Sequence, residues 1–401
     1  MGLFDWFGGK KEEKKTIPSE INDILDGLRQ AIPEIGDMLS DDQLMEMIKQ
    51  AMQTETSQLD ELGETDMERM SAEECCKFGE QLLDVGRWQE AESWFIKVLE
   101  KDEKTKNYHF QYIGATTCLG SICYRRGDFT QAMELLQHAL KLAEQYDSRL
   151  QQSIIYTEIG LAYASQSQYV KAIEYHKISI AIIEEIDDNP CVPYCNLGTA
   201  YREHGDLQRA IEAYEKALTL NLKIGRDSGA AIQYGNIGAI LAQQGLHERA
   251  QENFRNALVI HQKLDDQESM SRQYHNLGCS YGEQGNLDQA IQMINKAINI
   301  SNSIGNEPAV AQNYSSLATF YLIKGDTPQS LKFFLKSLEI QERIGDLHNA
   351  ARTYYKLGML YHKNNSDSKQ TRIYYEKAKA LFDMVGDVDK AQAAERLLHK
   401  L

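Results

Sequence analysis

Residues 193–238 read PYCNLGTAYREHGDLQRAIEAYEKALTLNLKIGRDSGAAIQYGNIG, and within them a series is completed and begun again. Tyr194, Asn196-Leu197-Gly198, Tyr201, Gly205, Ala210, Tyr214 and Ala217 are followed by Tyr234 and Asn236-Ile237-Gly238. Steps of forty residues keep meeting equivalents: Tyr194, Tyr234, Tyr274, Tyr314 and Tyr354, and likewise Gly198, Gly238, Gly278 and Gly358, with Ala318 in the fourth place. A fixed period of this length marks a stacked-repeat chain, in which one unit cannot bury its apolar face alone and neighbours bury it together.

Working outward, the first glycine landmark recurs as Gly79, Gly120, Gly160, Gly198, Gly238, Gly278, Ala318 and Gly358, which gives eight units. A turn landmark follows at Gly86, Gly127, Ser167, Gly205, Gly245, Gly285, Gly325 and Asn365, each a turn-competent residue. A small side chain then stands at Ala91, Ala132, Ala172, Ala210, Ala250, Ala290 and Ser330, where a second helix must approach the first closely. Four residues on come the large groups Phe95, Leu136, Tyr214, Phe254, Ile294 and Phe334.

Numbered so that the first glycine is position 8, the pattern of Gly 8, Tyr 11, Ala 20, an aromatic at 24 and Ala 27 resembles the tetratricopeptide repeat (TPR) over about residues 71–401. That resemblance implies an all-α fold, a TPR α-solenoid: a right-handed superhelix of about eight helix hairpins plus a C-terminal capping helix. The forty-residue spacing with Asn-Leu-Gly is similar to that of Pins-type spindle-orientation adaptors and kinesin light chains. The second helix of each unit runs long and ends in Ile224-Gly225, Ile304-Gly305, Ile344-Gly345 or Val385-Gly386, where glycine suits a left-handed C-cap. Pro308 and Pro328 sit where helices open. Asn189-Pro190 and Pro193 fall in a shortened step, so an irregularity is expected there. Residues 387–401 read as a capping helix, with Ala393, Leu397 and Leu398 apolar and Ala391 outside the landmarks.

Residues 1–70 read as a separate, partly disordered acidic arm with short amphipathic helices, ahead of a repeat domain over 71–401. Thr16 to Met70 holds fourteen acidic residues against three basic ones. Within it Ile21, Ile24, Leu25, Leu28 and Ile32, and then Leu44, Met45, Ile48 and Met52, recur at helical spacing. Helices this short need something to pack on, either the first repeat or the binding face of the repeats. The opening Leu3, Phe4, Trp6 and Phe7 beside Lys10, Lys11, Lys14 and Lys15 suits a weak membrane-surface contact by residues 1–15, too short to span. Trp6 stands where an N-myristoylation motif needs Ser or Thr.

At 100° per residue, positions 4, 7, 8 and 11 share one side of the first helix and positions 2, 5, 6, 9 and 13 the other. The TPR resemblance implies that the second set lines a concave, peptide-holding groove. Position 6 is Asn196, Asn236 and Asn276 in successive units, and an amide can donate to and accept from a peptide backbone whatever its side chains. Arg272 and Arg352 at position 2, His275 and Tyr355 at position 5 and Lys356 at position 6 add cationic and polar groups suited to an acidic peptide. Asparagine could instead merely solvate the face, and the cations could be ordinary surface groups.

The formal charge of −16 disfavours a nucleic-acid partner, because phosphate-backbone binding draws on clustered cations. Seven cysteines, an odd number scattered through helical pattern, read as reduced thiols of a cytoplasmic protein. Cys191 and Cys195 share a helix face without the further ligands a zinc site needs, and no metal or cofactor is expected. No phosphate-cradling loop and no nucleophile elbow appear, so the chain reads as a protein-binding scaffold and not an enzyme. Resemblance to the Rap group of response-regulator phosphatases supplies an enzymatic alternative, and a groove occupied by the chain's own arm a regulatory one.

Overall fold

A computed structural model describes residues 70–105, 110–186, 188–363 and 368–401. The amino-terminal arm, Asn365 and His109 therefore lie outside the described residues. Among the described residues there are seventeen helices and no strand. They are α1 (Ala72–Asp84), α2 (Trp88–Thr105), α3 (Phe110–Arg126), α4 (Phe129–Gln145), α5 (Arg149–Ser165), α6 (Tyr169–Glu185), α7 (Cys191–His204), α8 (Leu207–Lys223) and α9 (Asp227–Gln243). There follow α10 (His247–Lys263), α11 (Gln267–Glu283), α12 (Leu287–Ser303), α13 (Glu307–Lys324), α14 (Thr327–Arg343), α15 (Leu347–Lys363), α16 (Ser368–Met384) and α17 (Val388–Leu398). Odd-numbered helices through α15 are the first helices of eight hairpins, the following even-numbered ones complete them, and α17 is the terminal helix, an all-α TPR solenoid. The chain forms two compact units, divided between Gln233 and Tyr234 inside α9.

The second, fourth and seventh hairpins close by the same physics. Gly205 ends α7 at φ 92°, a left-handed conformation that costs an L side chain about 1 kcal/mol, and its N–H satisfies carbonyls of the last turn. Asp206 then caps α8, its carboxylate accepting from the Arg209 N–H at 3.2 Å. Asp128 and Asp326 cap α4 and α14 in the same way. Where hairpin meets hairpin, Asp147 and Asp265 take the left-handed position at φ 51° and 50°, and Gly225, Gly305, Gly345 and Gly386 take it elsewhere, as the Ile-Gly and Val-Gly endings suggest. Pro308 and Pro328 stand in the first turns of α13 and α14, and α7 is shortened to 14 residues behind Pro190.

The position-8 glycine lets the two helices touch. A Cβ added at Gly198 would meet the Tyr214 ring at 2.7 Å, so the fully buried Tyr214 fills the space where that methyl would stand. In the first unit α1 packs on α2 and α3, α3 on α4 and α5, and α5 on α6 and α7, so first helices touch first helices along the stack. In the second unit α11 packs on α12 and α13 in the same manner. The terminal helix seats differently from the pattern read in the sequence: Ala391 and Ala394 are buried, while Ala393, Leu397 and Leu398 are half-buried. Ala391 occupies position 1 of a ninth first helix, like the buried Ala351 and Ala311 before it.

Position 24 of the third hairpin is His176, which the run of large apolar groups did not anticipate. It is 1% exposed, fills the space beside Gly160, and neither ring nitrogen has a hydrogen-bond partner among the described residues. Burial pushes it down to about 4.

Candidate peptide-binding face

First helices expose positions 2, 5, 6 and 9 to different degrees, and each unit presents them with its own chemistry. On α5, α7 and α9 position 2 is apolar and open to solvent: Ile154, Val192 and Ile232 are 45%, 51% and 38% exposed. The pattern of asparagines and cations in the sequence does not mark this row. Asn196 is half-buried at position 6, and its side chain has no hydrogen-bond partner among the described residues. One unit earlier in sequence, position 6 is Glu158, which reaches back across to α3, accepting from Ser121 and from Tyr124 Oη at 3.0 Å.

In the second unit position 2 is basic on α11 and α15, with Gln312 in that place on α13. Arg272 and Arg352 are exposed, and Arg272 Nη2 donates to Ser269 Oγ at 2.7 Å. Asn236 and Asn276 are half-buried, with side chains that meet no hydrogen-bond partner among the described residues. Lys356 is half-buried and donates to Ser315 Oγ at 3.3 Å and Thr319 Oγ1 at 3.5 Å of α13. Desolvation pushes its ammonium below the usual lysine range, Arg352 one turn away pushes it further, and Cys279 partly offsets both. Neither Arg352 nor Lys356 has a carboxylate partner among the described residues. Like charges at this spacing cost a helix about 0.2–0.5 kcal/mol.

Two of the candidate residues are engaged elsewhere. Tyr355 is half-buried with its ring 5.8 Å from Tyr375 and 6.5 Å from Phe382. His275 spends both ring nitrogens on neighbours: Nδ1 lies 2.6 Å from Asn313 Oδ1, and Nε2 3.4 Å from Cys279 Sγ. The structure thus brings Arg272, His275, Asn276, Arg352 and Lys356 onto the first helices of the second unit together with Cys279, Gln312, Asn313 and Ser315, which the sequence had not singled out.

On the opposite side, the position-4 tyrosines hold a repeating contact. Lys216 lies 5.0 Å from the Tyr194 ring centroid, Lys296 5.2 Å from Tyr274, Lys336 5.3 Å from Tyr314 and Lys377 4.9 Å from Tyr354. Two open cavities of the first unit, about 550 and 310 Å³, lie on this side too, the second lined by Lys177, Tyr194, Tyr201 and Arg209. None of the candidate residues lines either. Among the described residues no cluster of His, Cys, Asp and Glu could hold a metal, and no helix is long and apolar enough to cross a membrane. The seven cysteines are free.

Comparison with known proteins agrees with the register. A profile described as tetratricopeptide repeat matches residues 74–145, 111–185, 151–223, 230–303 and 309–384, and a second of that description matches 195–263. The photosystem I assembly protein Ycf3 of Rippkaea orientalis is 29% identical over 125 residues, 30% of this chain and 68% of that protein. Among solved structures, a STAND-type signal transduction ATPase with a tetratricopeptide repeat sensor from Pyrococcus horikoshii is similar at TM-score 0.63 and 20% identity, over 80% of this chain. This chain spans 48% of that protein's length. The apo form of RapI gives TM-score 0.62 at 14% identity, over 82% of this chain and 96% of the other. With its repeats matched over most of its length and its hairpins closed in the same register, the chain belongs to the tetratricopeptide repeat family.

Proposed function

We propose that the chain is an interaction adaptor that holds a peptide segment of another protein against positions 2, 5, 6 and 9 of its first helices. Membership of the family supports a protein-interaction role in general terms, and the side chains supply the finer reading. The observation that carries it is the pair Arg352 and Lys356: two cations one turn apart, one of them half-buried, with no carboxylate of the described chain to neutralise them. A guest that brings a carboxylate relieves both the repulsion and the desolvation through charge-assisted hydrogen bonds. Asn236 and Asn276 present amides ready to pair with a guest's backbone, and in the first unit Asn196 does the same. The guest of the second unit is an acidic segment.

A selection from a random peptide library on the full chain tests this. Binders should be enriched in Asp and Glu, and the enrichment should vanish on the Arg352→Gln, Lys356→Gln variant. Binders without acidic bias, or unaffected by that variant, would remove the proposal's basis.

The acidity of residues 16–70 favours a second reading, in which that arm is the resident guest and must leave before a partner enters. Deleting it should then raise affinity for selected peptides. Unchanged affinity would leave the adaptor reading standing and the switch without support.

A further inference from the structure

Cys279, His275 and Asn313 form a line of three groups in the order nucleophile, base and orienting residue. His275 and Cys279 are one turn apart on α11, which places the thiol 3.4 Å from Nε2. Asn313, 2% exposed on α13, accepts from the Nδ1–H at 2.6 Å. That bond fixes the tautomer: with its proton on Nδ1, the ring turns the lone pair of Nε2 toward the thiol. Gln312 Nε2, on the exposed side, reaches the same nitrogen only at 3.5 Å. We infer that Cys279 is an activated thiol, built for covalent modification by small soft electrophiles of the α,β-unsaturated carbonyl class.

Three observations support it beyond the geometry. Cys279 is half-buried and so reachable, whereas Cys75, Cys76, Cys123 and Cys191 are buried. The other two half-buried thiols, Cys118 and Cys195, are pushed up by burial and lack an imidazole partner. Burial pushes His275 down, but the charge and hydrogen bond of Cys279 and the hydrogen bond of Asn313 outweigh it and leave the imidazole raised. Lys356 of α15 lies within electrostatic reach of the thiol.

The step balances. Nε2 takes the thiol proton, the sulfur adds to the β-carbon as a C–S bond forms, and the C=C electron pair moves toward the carbonyl as an enolate. The imidazolium then returns its proton to the α-carbon. No electron acceptor is needed, and the adduct comes to stand beside Asn276. The inference does not depend on the peptide-binding proposal, since the reagent is a small molecule.

Limiting N-ethylmaleimide on the native full chain, read cysteine by cysteine by peptide mass spectrometry, tests it. A positioned base that takes the thiol proton as the C–S bond forms raises the rate by at least about ten-fold over an unassisted thiol. Cys279 should therefore react about ten-fold faster than Cys118 or Cys195. His275→Gln should abolish that lead and move the pH profile of Cys279 labelling upward. Asn313→Ala should do the same in part, and Asn313→Asp should restore the rate, because a carboxylate orients the imidazole equally well. Unchanged labelling of Cys118 and Cys195 reports that the variants are folded. Equal rates for the three thiols in the native chain, or a Cys279 rate unmoved by His275→Gln, would overturn the assignment, and failure of Asn313→Asp to restore it would remove Asn313 as the positioning residue.

Discussion

The ammonium of Lys356 donates to the hydroxyl of Ser315 at 3.3 Å, from position 6 of one repeat to position 5 of the preceding one. Glu158 makes the corresponding reach in the first unit, back to Tyr124 Oη at 3.0 Å. In both cases position 6 is where a first helix reaches back to its predecessor, to the half-buried Ser315 in one case and to the buried Ser121 and Tyr124 in the other. Where position 6 is asparagine, its amide finds no such partner among the described residues and stays available.

Replacing Arg352 and Lys356 together by Gln should weaken an acidic peptide selected on the chain by about ten-fold, or 1.4 kcal/mol. The salt dependence of binding should flatten at the same time. Thermal stability should hold or rise slightly, because a like-charge pair disappears. Fluorescence anisotropy at two salt concentrations checks the first two effects.

Asn276→Ala should cost the same peptide about 1 kcal/mol, the worth of an ordinary hydrogen bond, and leave the melting temperature in place. A peptide whose affinity ignores the substitution does not lean on that amide. Isothermal titration gives the answer directly.

Ser330 stands where six other hairpins carry alanine; it is fully buried and its hydroxyl meets no partner among the described residues. Ser330→Ala should therefore stabilise the protein by about 1 kcal/mol. A denaturation midpoint equal to or below that of the parent would show that the hydroxyl is satisfied after all.

His176 makes stability depend on acid. Its imidazole titrates at about 4 when folded, against about 6.5 in the unfolded chain. Above pH 6.5 both states are neutral and nothing is lost. As pH falls from there the unfolded chain takes up the proton first, so stability drops, by about 3 kcal/mol in all, until the folded value is passed near pH 4. His176→Leu, which borrows the leucine of Leu136 in the second hairpin, should remove this loss. Denaturation midpoints of parent and variant should diverge between pH 6.5 and 4 and run parallel above; parallel curves throughout would contradict it.

The repeat register was legible in the sequence because packing leaves little freedom: Gly198 admits Tyr214, and a side chain larger than hydrogen would not fit. The same constraint at the other position-8 glycines prints one period along the chain, with Ala318 the exception. Other features print nothing. His176 escaped notice because a histidine does not read as a core aromatic, although position alone marks it. Ala391 was set aside because position 8 served as the landmark, whereas the terminal helix is seated by position 1. Asn313 meets His275 from 38 residues away, and a contact between helices of different repeats has no local spacing to betray it. Ile154, Val192 and Ile232 share position 2 with Arg272 and Arg352, so the face is legible in the register, whereas the chemistry each helix puts there is not set by the repeat.

The central claim is that a guest lies against the exposed side of the first helices. A photoreactive side chain at position 316, on that side of α13, and another at position 335, on the second helix of the same hairpin, can each be challenged with a peptide selected on the chain. The account predicts crosslinks from position 316 that an excess of unlabelled peptide abolishes, and none above background from 335. Crosslinking from 335 with 316 silent would contradict it.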